Sequence, residues 1–150
     1  MNPETPRRLL DHALVELEAA RRHLDFSAER VRNLPGDLQL ISEAQLESAE
    51  AFTSRFARTV DLLVNKVLRG LDRVELKPPG TLLDVVNGAE QRGFVASAAT
   101  LREMKMVRNE VAHDYAGTRL AAVFAYCRER KPALDEICGH VRDYVRNLPA

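Results

Sequence analysis

Apolar positions recur at three- and four-residue spacing along most of the chain, and the breaks between these stripes mark out a series of helices. Leu10, Ala13, Leu14, Leu17, Ala20 and Leu24 form the first stripe, the signature of an amphipathic helix. Thr5 is a good N-cap and Pro6 takes the favoured first helical position. Leu34-Pro35-Gly36 should stop this helix at about residue 33. Ser42 and Gln45 make a capping box for a second helix. Its stripe of Leu46, Ala49, Phe52, Phe56, Val60, Leu63, Val67 and Leu71 runs for about seven turns. Two helices of this length joined by a short loop are predicted to pack antiparallel.

Lys77-Pro78-Pro79-Gly80 breaks the pattern, but it is too short to separate domains and reads as a loop at one end of a bundle. A short helix is predicted from Thr81, through Leu82, Leu83, Val85 and Val86, to Gly93 as its C-terminal stop. Thr100 and Glu103 offer a second capping box for the helix that follows. That helix should end near Ala116-Gly117, with Thr118 capping the next. Pro132 is expected to kink or restart this last segment, leaving residues 133–145 as the closing helix. The fold expected is a single all-α domain over residues 1–150, an up-and-down antiparallel bundle of four to six helices.

Composition narrows the function classes. The 150 residues carry 22 basic and 22 acidic side chains, so nucleic acid cannot be held by overall charge, although a local basic cleft can still hold it. Two cysteines, Cys127 and Cys138, suggest neither a disulfide framework nor a zinc site. No stretch of 18 apolar residues suggests a membrane span, and the N-terminus lacks the order of a signal peptide. The expected location is the cytoplasm, with no membrane partner. No acidic cluster suggests a catalytic metal, and no cofactor is implied.

The stretch from 101 to 115, LREMKMVRNEVAHDY, stands apart. On a helical wheel Leu101, Met104, Val107 and Val111 face a core, with Arg108 and Tyr115 at the edge of that stripe. Arg102, Lys105, Asn109 and His113 form a second, polar stripe beside an exposed Met106. Arg supplies a permanently charged planar fork that matches phosphate oxygens. His exchanges protons near neutrality, and His113 lies in the last turn, where the helix dipole favours its charged form. Asn109, four residues before His113, is placed to orient the imidazole or hold a second phosphate oxygen. Arg and His together suffice for metal-free cleavage of RNA. One activates the 2′-hydroxyl or protonates the leaving 5′-oxygen, and the other neutralises charge growing on the phosphate. Arg108 and His113 are separated by about 140° around an ideal helix, so a single copy does not aim both at one phosphate. Two copies packed across a two-fold axis would put both pairs into one cleft.

An Arg and a His five residues apart are a weak signal alone; Arg7 and His12 repeat the spacing, with Arg8 in place of Asn and Leu14 in place of Tyr. The full pattern Arg-Asn-x-x-x-His-x-Tyr at a helix end is much rarer. RNEVAHDY resembles the signature of HEPN domains, and in its His-x-Tyr ending it is closest to the HepT-like toxins. That resemblance implies a helical bundle that dimerises and cuts RNA without metal in a cleft at the dimer interface. It makes Arg108 and His113 catalytic and Asn109 supporting; Lys105 and Arg102, from the polar stripe, are expected to support them too. It also implies an MNT-type nucleotidyltransferase antitoxin as partner, and Tyr115 as the site to which that partner adds AMP. Lys131-Pro132-Ala133-Leu134 is similar to a Leu-Pro-x-Leu segment of those toxins. Gly117-Thr118-Arg119 and Phe124 stand where many of them carry an Asp and a Trp.

Plainer roles exist for the same residues. Arg108 would otherwise form a surface salt bridge to Asp114 or Glu103, His113 would be a solvated last-turn histidine, and Tyr115 an amphipathic residue at the core edge. Asn109 is a poor helix former with no cap to serve in mid-helix, which favours a function for it. His12, His23 and His140 sit singly on helices, and the cysteines should pack as small apolar groups. Two classes of function therefore follow: an RNase toxin of a toxin–antitoxin pair, or a non-catalytic helical module that binds a nucleotidyltransferase.

Overall fold

The computed structural model describes residues 5–113 and 119–149, with the side chains of residues 112 and 113 outside the description. Thr5 Oγ1 accepts from the Arg8 amide at 3.2 Å, and α1 (Pro6–Val31) runs from there with Leu10, Ala13, Leu17, Ala20, Leu24, Ser27 and Val31 buried. A 3₁₀ turn (Leu38–Leu40), which the apolar spacing did not suggest, is capped by Asp37. The Ser42/Gln45 capping box forms as expected and starts α2 (Glu43–Asp61).

The second rod is not a regular helix to its end. After Asp61 the chain widens into a π-helical stretch (Leu62–Leu68) before α3 (Arg69–Val74) completes it. Leu63-Val64 and Val67-Leu68 are all fully buried. Two adjacent apolar pairs need a wider buried face than one α-helical stripe provides, and π turns take in about one more residue than the ordinary 3.6.

Thr81 and Asp84 form a capping box that opens α4 (Leu82–Gln91). Gly93, with φ of 82°, closes it: its amide reaches the Glu90 carbonyl and the Phe94 amide reaches that of Ala89, a Schellman motif. Arg92 ties α4 to α3 through Asp72 and Glu75, and Tyr144 donates to the same Glu75 at 2.6 Å.

Two expectations fail here. Thr100 does not start the next helix; α5 (Ala98–His113) begins two residues earlier. Its first amides find Glu90 Oε1, reaching across from α4, and Ser97 Oγ, so the cap comes partly from another helix. Nor does Pro132 restart the last segment, because α6 (Leu120–Arg146) runs through it unbroken. Phe124 and Cys127 before it and Leu134, Ile137 and Cys138 after it are buried on one face. Lys131 pairs with Asp25 and Asp135 at 2.7 Å, and Arg128 donates to the carbonyls of Leu34 and Arg32. These contacts outweigh a helix-interior proline, which costs about 3 kcal/mol. The expected helix end near residues 116–117 and the cap at Thr118 lie outside the described residues.

Bonds between rods set their directions. Arg55 reaches Ser27 and Lys66 reaches Glu16, so α1 and the second rod are antiparallel. Lys131 meets Asp25 and Arg7 meets the Val145 carbonyl, so α6 also opposes α1. Lys105 and Arg108 of α5 meet Asp61 of α2, while Val111 shares a groove with Ala57, which runs α5 against α2. The result is an all-helical up-and-down bundle with α4 in its one long connection. Phe52 and Phe124, edge to face with centroids 5.8 Å apart, lie at the centre of its core. Among the described residues no helix is long and apolar enough to cross a membrane.

Candidate functional site

The core face of α5 is the one its periodicity predicts: Leu101, Met104 and Val107 are buried, and Val111 packs against the core from its edge. This fixes the rotation of the helix and hence where its polar residues point. Arg102 and Asn109 are exposed; the Asn109 amide lies 4.0 Å from Met106 Sδ, too weak a contact to orient anything. Met106 is exposed, as expected. His113 is the last helical residue of α5, with its side chain outside the described residues. Tyr115 and Asp114 lie outside them altogether.

Lys105 departs from its expected company. It belongs by sequence to the stripe of Arg102, Asn109 and His113, but its chain folds back toward α2 and its ammonium sits 2.7 Å from Asp61 Oδ1. The guanidinium of Arg108 takes the other carboxylate oxygen, Oδ2. The counterion of Arg108 is therefore Asp61, from a different rod, and not Glu103. The three groups differ in exposure, which decides their roles. The side chains of Asp61 and Lys105 are 11% and 17% exposed, whereas that of Arg108 is 66% exposed. Lys105 and Asp61 form the buried half of the cluster, and Arg108 presents its remaining donors to solvent.

Asp61 is the residue that helical periodicity overlooked, and a signal for it existed. It interrupts the run Val60-Asp61-Leu62-Leu63-Val64, and a carboxylate within such a run is buried only with partners. It also stands where α2 gives way to the π-helical stretch, a feature found often at functional sites.

Beside Arg108 the surface opens into a groove of about 540 Å³ between α2 and α5. Ala57, Leu62 and Val111 line it with carbon, and Ser54, Arg58, Asp61, Asn65, Lys66 and Arg108 contribute its polar groups. On the other side of α5 a second groove of about 480 Å³ is lined by Met106, Val107, Ala122, Val123 and Tyr126, with Glu103, Glu110 and Arg119 at its edges.

Other chemistries find less support. Burial pushes the thiols of Cys127 and Cys138 up to about 12, so neither is a nucleophile near neutrality. His140 Nδ1 lies 3.4 Å from the Phe94 carbonyl, a structural contact. Among the described residues no group of three His, Cys, Asp or Glu side chains could hold a metal ion. No family model, curated protein or solved structure matches the chain. What the site does must be read from its own residues.

Proposed function

We propose that the chain is a metal-independent endoribonuclease of the HEPN type, the toxin of a pair with an MNT-type nucleotidyltransferase, acting as a homodimer in the cytoplasm. The observation that carries this reading is Arg108: an exposed guanidinium, anchored on one side by Asp61, at the lip of a groove and one and a half turns before His113 on the same helix. An arginine held in this way is pre-organised to receive a phosphate on its free donors. His113 supplies proton transfer, and Asn109 and Arg102, both exposed, add donors to the face that a second copy would complete. Exposed Met106 beside a largely carbon-lined groove supports an interface on that face. Tyr115 follows two residues after His113; AMP attached there would bring a bulky anion beside Arg108 and compete for the fork that substrate phosphate needs.

Purified protein incubated with RNA in EDTA is the test. Cleavage that leaves 2′,3′-cyclic phosphate or 3′-phosphate ends is expected, and both Arg108→Ala and His113→Ala should abolish it. Activity lost in EDTA and restored by magnesium would refute the mechanism. Intact-mass measurement after co-expression with the partner reads AMP on Tyr115.

A second reading, a non-catalytic module that binds the nucleotidyltransferase, draws on the same contact, since Arg108 already carries a counterion. Correctly folded protein that binds the partner and leaves RNA intact would favour it.

A further inference from the structure

The groove beside Arg108 is built mainly by the second rod, from α2 and the π-helical stretch, and the cations there have no role so far. Arg58 has no ion-pair partner among the described residues, and Lys66 is engaged only by Glu16 in an exposed pair at 3.1 Å with side chains 55% and 47% exposed, the kind that contributes little and opens readily. On a regular α-helix residues eight apart stand about 80° apart. The wider π turns that begin at Leu62 take much of that rotation back, so that Arg58 and Lys66 line one groove together with Asn65 and Arg108. The π-helical stretch thus brings Arg58 and Lys66 to one side of the rod, in the groove that Arg108 enters from α5. Arg58 and Lys66 stand up to about 12 Å apart along the rod.

Asp61 does not cancel these cations, because Lys105 and Arg108 already occupy both its oxygens. Ser54 and Asn65 add neutral groups that can donate or accept. A ribose 2′-hydroxyl also does both, whereas a carboxylate only accepts. Among the described residues no aromatic side chain lines the groove, so none of them offers a ring for bases to stack on. From these features we propose that the wall of the groove built by the second rod, through Arg58 and Lys66 with Ser54 and Asn65, binds the sugar–phosphate backbone of single-stranded RNA next to the phosphate held by Arg108. This rests on the nuclease reading for the role of Arg108, and it adds a binding track on the second rod that reads the backbone.

The test separates the two. Full-length protein carrying His113→Ala, which leaves ordinary RNA uncut on the nuclease reading and is the parent of the variants below, is titrated into a fluorescein-labelled oligouridylate of about ten nucleotides that keeps its 2′-hydroxyls, and binding is followed by anisotropy. Arg58→Ala/Lys66→Ala should weaken binding about tenfold and lower the slope of log affinity against log salt by about 1.4, at about 0.7 per phosphate contact on a single strand. Arg58→Glu/Lys66→Glu should weaken it further, and Lys77→Ala, an exposed lysine past the end of the same rod, should bind as the parent does. Circular dichroism checks that these surface variants fold. Parent-like binding by the double variant overturns the proposal, as does a parent protein that fails to bind. Displacement by polyglutamate as readily as by unlabelled oligonucleotide also overturns it, by making the groove a site for acidic peptides. If binding follows the expected pattern while protein with His113 intact leaves ordinary RNA uncut, the track stands and the nuclease reading falls.

Discussion

Replacing Asp61 by Ala would remove the one carboxylate on which Lys105 and Arg108 converge. Its cost follows from the unequal exposure of the two cations. Removing one partner of a fully buried pair costs about 3–5 kcal/mol because a charge is left unpaired. Lys105 comes near that case, with its side chain 17% exposed, although its flexible stem lets the ammonium move toward water. Arg108, 66% exposed, is already solvated, and its share should not exceed about 1 kcal/mol. A loss of about 2–3 kcal/mol is expected for Asp61→Ala. With a urea m-value of about 1–3 kcal/mol/M, the midpoint should fall by roughly 0.7–3 M. Equilibrium urea unfolding followed by circular dichroism, at one protein concentration because a dimer would make stability concentration-dependent, measures this. The physical cause can be isolated by Asp61→Ala/Lys105→Met. If the cost is the stranded ammonium, removing it should recover about half of the loss, so that the two substitutions are not additive. A midpoint unchanged by Asp61→Ala, or a double variant as unstable as the sum of its parts, would refute the account of Asp61 as a buried counterion.

Two further outcomes follow from contacts elsewhere. Burial raises the Glu75 carboxyl, but hydrogen bonds from Tyr144 and Arg92 and the charge of Arg92 outweigh this and hold it below its ordinary value of 4.5. A depressed carboxyl stabilises the fold above that value and loses its contribution as pH falls through the lower folded value. Glu75→Gln should therefore flatten the acid limb of a stability–pH profile below about 4.5, and an unchanged limb would show that other groups control it. Pro132→Ala should raise the melting temperature by restoring a helical amide in α6, a gain of up to about 3 kcal/mol; a drop would mean that the ring itself packs irreplaceably.

How much was legible beforehand depends on the range of the interaction. The four long helices, the caps at Thr5, Ser42 and Thr81, the stop at Gly93 and the buried face of α5 rest on neighbours within a few residues, and such interactions are written in the local order of residues. The features that were not legible all depend on contacts with another element of the fold. Glu90 caps α5 from α4. The buried face and ion pairs of α6 carry it through Pro132. The doubled apolar pairs at 63–64 and 67–68 meet a core wide enough to favour π turns. The site divides along the same line. Arg108, Asn109 and His113 stand out as candidates from one eight-residue string, by residue type and spacing. Which carboxylate holds Arg108, which way Lys105 turns, and which cations share its groove were decided only when α2 packed antiparallel to α5. Periodicity gives the face of a helix but not the helix that lies opposite, and an ion pair needs both.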